Sequence, residues 1–284
     1  MKKHLKTIGS LMICLVMAFS LVACTSTPAP NATDNTGAAT PAAEEKKEVT
    51  IGCMPLNKEG VEAIAEMMKP MGYDIKVMVF DGNNLPALAL SSGEIDSLIL
   101  NHLPWINTFN TENNTNLVMV DGFKYASLVG LYSSKHDSLE AIPDGAQITV
   151  SNDPSNMDRA LRLLNKIGFI RLAEKSEGFY TIFDIEENTK NIQLIEVETT
   201  STAGSYEDAD GTITFTSVMR NAGYDANSYL VEDGEYINFP TGLVVYGGNE
   251  NSQWAKDIVA TASTPEYKEK FDAIFEGAYM IFEQ

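Results

Sequence analysis

The chain has 284 residues, and its 20 Lys and Arg against 39 Asp and Glu give a formal net charge of −19. This charge argues against nucleic-acid binding, because neutralising phosphates requires clustered Lys and Arg. Three cysteines are too few for a disulfide framework, and none lies in a Cys-x-x-Cys or Cys/His cluster of the kind that holds structural zinc.

Residues 1–23 have the pattern of a secretory signal peptide. Three lysines precede an apolar run at 8–22, which is shorter than the ~20 residues that a membrane-spanning helix needs. The run ends in Leu21-Val22-Ala23-Cys24, which is similar to a bacterial lipobox. That resemblance implies cleavage before Cys24 and a diacylglycerol on its sulfur. The alternative is an ordinary signal peptide or anchor with an incidental cysteine.

Residues 24–47 are interpreted as the lipidated cysteine and a flexible tether, because small, polar, Pro-rich sequence cannot bury a core. Cleavage would leave 17 basic residues against 39 acidic ones, a balance of −22. Two acyl chains hold a protein firmly on a membrane surface. We therefore expect a lipid-anchored protein on the extracytoplasmic face of the cell membrane.

From residue 48 onward, predicted strands and helices alternate. Strands are predicted at 49–54, 74–80, 95–100, 117–120, 129–132, 147–150, 192–197, 212–215 and 243–246. Helices are predicted at 61–69, 85–92, 153–167, 253–261 and 265–275. This alternation predicts an α/β fold with mainly parallel sheets. The folded part is long enough for two lobes, and ligands of open α/β sheets bind beyond the carboxyl ends of strands, which predicts a cleft between the lobes.

One predicted helix carries the most specific motif of the chain. Asn152-Asp153-Pro154-Ser155-Asn156-Met157-Asp158-Arg159 resembles the Asn-Asp-Pro-Thr-Asn-x-x-Arg segment of the NlpA-type lipoproteins, the methionine-binding components of ABC importers. Weaker matches follow the family order at 101–105, 130–139, 188–192 and 236–238. We interpret the chain as a divergent member of that family.

The resemblance implies a type II periplasmic-binding-protein fold. Its first lobe would comprise residues 48–132 plus 238–284, its second lobe residues 133–237, and the ligand would lie in the cleft between them. By this resemblance Arg159 meets the ligand carboxylate, Asn238 meets its polar groups, and His102 and Trp105 lie near its side chain. The predicted ligand-binding residues are Arg159, Asn238, His102, Trp105, Phe215, Asn156 and Tyr125.

Phe215 is the main departure from the family pattern, because it stands where the family has an asparagine that contacts the ligand. Loss of a buried hydrogen-bond partner typically costs ~1–3 kcal/mol. We therefore expect a carboxylate-bearing solute related to an apolar amino acid, such as a derivative, an N-substituted form or a short peptide.

The chemistry of an amino-acid site supports Arg159 independently, since a guanidinium meets a carboxylate with parallel hydrogen bonds. By helical position alone, Arg159 would be one more charge on a solvated face. If it instead binds a carboxylate, its replacement by Ala is expected to weaken binding with little loss of stability. Asn238 could instead be a turn residue, His102 a structural histidine, and Tyr125 a packing residue.

The leading hypothesis is a solute-binding lipoprotein that captures methionine or a related amino acid, derivative or short peptide and presents it to an ABC permease. We expect it to act as a monomer without cofactor or metal. The first alternative is a sensor or adhesin that keeps the scaffold without transport, since fold does not fix function. The second is a surface hydrolase, although the chain has no Gly-x-Ser-x-Gly or His-Glu-x-x-His motif. We therefore predict that the protein is not an enzyme.

Overall fold

The computed structural model describes residues 46–282. The predicted signal peptide, the lipidation site Cys24 and the tether up to residue 45 lie outside the described residues. The strands are β1 (Glu48–Cys53), β2 (Asp74–Val79), β3 (Ser97–His102), β4 (Leu117–Met119), β5 (Tyr125–Ala126), β6 (Val129–Tyr132), β7 (Gln147–Ser151), β8 (Arg171–Leu172), β9 (Ile185–Glu187), β10 (Gln193–Val197), β11 (Gly211–Phe215), β12 (Val231–Glu232), β13 (Thr241–Tyr246) and β14 (Met280–Ile281). The helices are α1 (Lys58–Met68), α2 (Leu85–Ser92), α3 (Leu103–Asn113), α4 (Pro154–Lys166), α5 (Thr216–Asn221), α6 (Gln253–Ala262) and α7 (Pro265–Phe275).

The strands form two larger sheets, one in each lobe. The first has the order β14-β5-β13-β3-β1-β2, with β4 also paired to β13, and the second has the order β10-β7-β11-β6-β12. In the described chain β8 and β9 form a separate antiparallel pair. The predicted two-lobed α/β fold is confirmed.

In each sheet the parallel strand pairs lie towards one end, and the pairs at the other end are antiparallel. In the first sheet β1 runs parallel to β2 and β3, whereas β13 is antiparallel to β3, β4 and β5. In the second sheet β7 is parallel to β10 and β11, whereas β6 is antiparallel to β11 and β12. More strand pairs are antiparallel than predicted, because the chain passes between the lobes twice and the strand at each crossing runs in the opposite direction.

The crossings bear on the predicted lobe boundaries. The predicted end of the first lobe at residue 132 assigns β6 to that lobe, but β6 pairs with strands of the second sheet. If each strand is assigned to the lobe of its sheet, the chain leaves the first lobe between Ala126 and Val129. It returns to the first lobe between Glu232 and Thr241. We propose these two segments as the boundaries.

Helix α4 shows how the sequence sets the position of the site. Asp153 caps the helix by accepting a hydrogen bond from the Asn156 backbone N–H at 3.0 Å, and Pro154 opens it where no N–H is needed. The predicted apolar stripe, with Leu161 and Leu164 at its centre, is buried in the core of the second lobe. Burying one such side chain stabilises the fold by roughly 1.5–3 kcal/mol. The N-terminus of α4 is thereby held at the cleft.

Helix α3 was not predicted, because its apolar face is short, namely Trp105, Ile106 and Phe109, and the rest of its sequence is rich in Asn and Thr. Its N-terminal signals are local: His102 caps it, and Pro104 lies in its first turn. None of the helices between residues 46 and 282 is long and apolar enough to cross a membrane.

Candidate functional site

A cavity lies between the lobes, where β3 and β11 end and α4 begins. It holds about 530 Å³ of space between its lining atoms, including its open mouth. The residues lining it are Leu56, Asn83, Leu100, Asn101, His102, Trp105, Ser127, Asn156, Arg159, Thr199, Thr200, Phe215, Val218, Phe239, Thr241 and Tyr279.

Arg159 is the cation of this cavity, and its side chain is only 1% exposed. Its Nε and Nη2 atoms donate to the two carboxylate oxygens of Asp233, the second over 3.1 Å. Its guanidinium lies 4.3 Å from the ring centre of Phe239 and 5.6 Å from that of Phe215. Its Nη1 atom is buried and has no hydrogen-bond partner. One edge of the guanidinium is therefore fixed, and its remaining nitrogen is available to a ligand.

The burial of Arg159 excludes the interpretation as a charge on a solvated face. Every residue of α4 from Ser155 to Leu161 is buried, because the first two turns of the helix are enclosed by the first lobe as well as by the second sheet. The expectation that Arg159→Ala would cost little stability does not fit this buried ion pair with Asp233. Removing Arg159 would leave Asp233 buried without a partner, which is strongly destabilising.

His102 lies at the end of β3 and connects the two lobes. Its Nδ1 accepts from the Trp105 backbone N–H at 3.2 Å, so its Nε2 carries the proton and donates to Asn156 Oδ1 at 2.9 Å. Burial, helped by the nearby Arg159 charge, lowers the pKa of His102 to about 4, although the hydrogen bond to Asn156 acts in the opposite direction. His102 is therefore a neutral donor whose two nitrogens are both committed to protein partners.

Asp153 continues this chain of hydrogen bonds. Its carboxylate accepts from Asn156 Nδ2, Thr199 Oγ1 and Ser151 Oγ, each at 2.7 Å. Burial alone would raise the pKa of Asp153, but these hydrogen bonds outweigh it and hold the pKa below its usual value. We call His102, Asn156, Asp153, Thr199 and Ser151 the lobe-bridging network.

Asn101 precedes His102 and is also buried in the cavity wall. Its Nδ2 donates to the side-chain oxygen of Asn83 at 2.9 Å and faces the Asn83 backbone oxygen at 3.4 Å, which fixes the orientation of the amide. Its Oδ1 is buried without a partner. Within the described residues, Arg159 Nη1 and Asn101 Oδ1 are the buried, unpartnered polar atoms of residues that line the cavity. We call these two atoms the open pair.

The rest of the wall is mainly apolar and aromatic. Trp105 stacks on Phe109 with ring centres 5.3 Å apart, and Phe239 meets His102 edge-on at 5.1 Å. Phe215 lies 6.3 Å from His102, where β11 passes into α5. No Asp or Glu is among the residues that line this cavity. The cavity therefore suits an apolar body with few polar groups.

Five of the predicted site residues meet in this cavity: Arg159, His102, Trp105, Phe215 and Asn156. Asn238 is not among the lining residues; it is exposed, and its amide donates to Glu235 Oε2 at 2.6 Å. The short 3₁₀ turn Tyr236–Asn238 directs it to solvent, and the next residue, Phe239, lines the cavity instead.

Tyr125 is likewise absent from the cavity. It is buried in the core of the first lobe, with its ring 5.0 Å from Tyr279 and 5.1 Å from Phe271. The alternative interpretation of Tyr125 as a packing residue is the one that the structure supports.

Sequence reasoning missed Asp233, Asn101 and Phe239. Asn101 had a local signal, because it is a polar residue at the end of an apolar strand, directly before His102. Asp233 had none, since its partner Arg159 is 74 positions away along the chain. Phe239 was overlooked in favour of its neighbour Asn238.

Comparison with known proteins gives matches over most of the described chain. A family model described as NlpA lipoprotein matches residues 49–281. Outer membrane lipoprotein 1 of Mannheimia haemolytica is 29% identical over 260 residues, which cover 89% of this chain and 91% of that protein. The D-methionine-binding lipoprotein MetQ of Escherichia coli K12 is 28% identical over 242 residues, which cover 82% of this chain and 88% of that protein.

A solved structure shares the fold. The nutrient binding protein from Burkholderia cenocepacia bound to methionine is 26% identical, with a TM-score of 0.78 over 83% of this chain and 100% of that one. The similarity spans both sheets and the cavity between them.

Proposed function

The chain belongs to the NlpA lipoprotein family, and we propose that it is the solute-binding lipoprotein of an ABC importer. Its relatives include a D-methionine-binding lipoprotein and a nutrient binding protein bound to methionine. The observation that carries the proposal is Arg159 Nη1, a buried cationic donor without a partner, in a residue that lines the cavity between the two lobes. A buried donor left unpaired costs ~1–3 kcal/mol, and an incoming acceptor recovers that cost.

The proposed solute is methionine or a related amino acid, derivative or short peptide that carries a carboxylate. Arg159 Nη1 is the donor for that carboxylate, because Nε and Nη2 already bind Asp233. The aromatic rings of Trp105, Phe215 and Phe239 form the wall for an apolar side chain. A thioether suits such a wall, since sulfur–aromatic contacts are favourable by about 0.3–1.5 kcal/mol.

We also propose that the protein acts at a membrane surface. The predicted lipid on Cys24 and the tether that follows it would hold a monomer at the extracytoplasmic face of the membrane, next to an ABC permease. The role is capture and delivery of the solute, not its chemical conversion.

The test combines ligand detection with a matched pair of variants. Native mass spectrometry of the purified protein, followed by a thermal-shift panel of amino acids, N-substituted amino acids and short peptides, should reveal at least one stabilising solute. Arg159→Lys keeps a cation beside Asp233 but removes Nη1, and we expect it to weaken that solute about 10- to 100-fold, the loss of one charged hydrogen bond.

Arg162→Lys is the matched control, because Arg162 lies three residues further along α4, is half exposed and pairs with Asp158. We expect it to bind as the wild type does. A protein that carries no solute and is stabilised by none of the panel would contradict the proposed function.

A further inference from the structure

Building on this proposed function, we propose that the cavity selects N-acylated apolar amino acids over free ones. The carboxylate of the solute accepts from Arg159 Nη1, and its amide N–H donates to Asn101 Oδ1. The two atoms of the open pair thus meet the two polar ends of an N-acyl amino acid.

The charges around the cavity disfavour a free ammonium group. Its lining residues include no Asp or Glu, and the nearest carboxylate that contacts Arg159, that of Asp233, is already bonded to two guanidinium nitrogens. An ammonium group in this cavity would be buried without a carboxylate and in the same cavity as the positive charge of Arg159. Burying an unpaired charge costs far more than burying a hydrogen-bonded amide.

The hydrogen-bonding capacity of the open pair, His102 and Asn156 favours the same selection. An ammonium group has three N–H donors, whereas a secondary amide has one. The open pair supplies one acceptor, Asn101 Oδ1. His102 cannot supply another, because its Nδ1 already accepts from Trp105 and its Nε2 carries a proton. Asn156 cannot either, because both ends of its amide are bonded to His102 and Asp153.

The aromatic side of the cavity presents apolar ring surfaces to a solute. Phe215 stands at the end of β11, within ring contact of both Arg159 and His102. N-acylation of the solute replaces its hydrated ammonium group by a neutral amide that carries an apolar acyl chain. The apolar side chain and the acyl chain of the solute can both pack on these rings.

The experiment compares three compounds by isothermal titration calorimetry with the full mature chain. N-acetyl-L-methionine is expected to bind at least about 10-fold more tightly than L-methionine, which corresponds to one unsatisfied buried group. N-acetyl-L-methioninamide, which lacks the carboxylate, is expected to bind about 10-fold or more weaker than N-acetyl-L-methionine.

A charge variant should weaken this selection. Asn101→Asp places a carboxylate at the acceptor position, and the Asn83 amide can rotate to donate to it, so the preference should shift towards L-methionine by about 10-fold. Asn107→Asp is the matched control: Asn107 is exposed on α3 and does not line the cavity, so this variant adds the same charge without changing the preference.

The outcomes separate the two proposals. Tighter binding of L-methionine than of its N-acetyl form by the wild type would overturn the N-acyl assignment and leave the importer proposal standing. An unchanged preference in a folded Asn101→Asp variant would also overturn the role of Asn101. Absence of binding by every amino acid, derivative and peptide would overturn both proposals, and the wild-type titrations decide this even if Asn101→Asp fails to fold.

Discussion

The lobe-bridging network and the open pair are both buried and polar, yet they differ in how much of their hydrogen-bonding capacity the protein itself uses. In the network, His102, Asn156 and Asp153 bind one another and their neighbours, so a ligand has little to gain from them. In the open pair, Arg159 Nη1 and Asn101 Oδ1 each belong to a side chain that is otherwise firmly held. Saturated polar groups hold the lobes and shape the cavity, whereas unsaturated ones are left for recognition.

The largest expected effect comes from breaking the ion pair between Arg159 and Asp233. Arg159→Ala leaves Asp233 buried without its partner and should lower the free energy of unfolding by about 3–5 kcal/mol. The double variant Arg159→Met with Asp233→Leu removes both charges, and it should lose much less. Urea denaturation followed by circular dichroism measures both.

The control for that experiment is Arg162→Ala, whose ion pair with Asp158 is half exposed on the arginine side. Exposed pairs contribute about 0–1 kcal/mol, so little change is expected. A single Arg159→Ala variant as stable as Arg162→Ala would show that the Arg159–Asp233 pair does not support the site as described.

The next effect concerns the network and its dependence on pH. His102 titrates at about 4 in the folded protein, below its ordinary value of 6.5, so the folded state binds fewer protons than the unfolded state. The stability that depends on neutral His102 is fully present above pH 6.5, declines as the pH falls towards 4 and is lost below pH 4. The total loss is up to about 3 kcal/mol, at ~1.4 kcal/mol per pH unit. Unfolding curves between pH 7 and 4 should show this slope.

His102→Gln should flatten the slope in that window. His136→Gln should keep it, because His136 lies outside the network, near Asp210. A wild-type stability that stays constant from pH 7 to 4 would contradict the buried, neutral state of His102.

A smaller effect compares two helix caps. Asp153 caps α4 and also accepts from Thr199 and Ser151, whereas Thr264 caps α7 and accepts from the Tyr267 backbone N–H. Loss of a cap alone costs about 1 kcal/mol. Asp153→Ala should therefore cost about 2 kcal/mol or more and Thr264→Ala about 1 kcal/mol in thermal unfolding. Equal costs would mean that the network adds nothing to the cap.

The smallest effect alters recognition on the aromatic side. Phe215→Asn restores an amide at the position where the family has one, and it should improve L-methionine binding by about 5- to 10-fold, close to one net hydrogen bond of ~1 kcal/mol. Phe183→Asn, at a ring that is 91% exposed, is the control and should change nothing. Calorimetric titration compares the two, and weaker methionine binding by Phe215→Asn would contradict this account of the wall.

The regular parts of the fold were predictable because their signals are local. The cap at Asp153, the stripe with Leu161 and Leu164, and the glycine after α2, which adopts a positive φ of 77°, all act within a few residues of the chain. Helix α3 was not predicted because its apolar face, which includes Trp105, is only three residues in an otherwise polar segment.

Residues of the site could be predicted only where they belong to a recognisable sequence motif. Arg159 was identified by its segment, but its burial and its partner Asp233 depend on a crossing segment far along the chain. Asn238 was misplaced because a three-residue match does not specify which side of a turn a side chain occupies. Asn101 and Phe239 each lie next to a predicted residue, so the region was found before the individual contacts were.

A crystal structure of the protein grown with N-acetyl-L-methionine tests the central claim most directly, namely that Arg159 Nη1 binds an organic acid in the cleft. The account predicts one carboxylate oxygen about 2.7–2.9 Å from Nη1, with the bonds from Arg159 to Asp233 still in place. A solute bound elsewhere, or a cleft in which Nη1 contacts only water while solute fills the aromatic side, would contradict it.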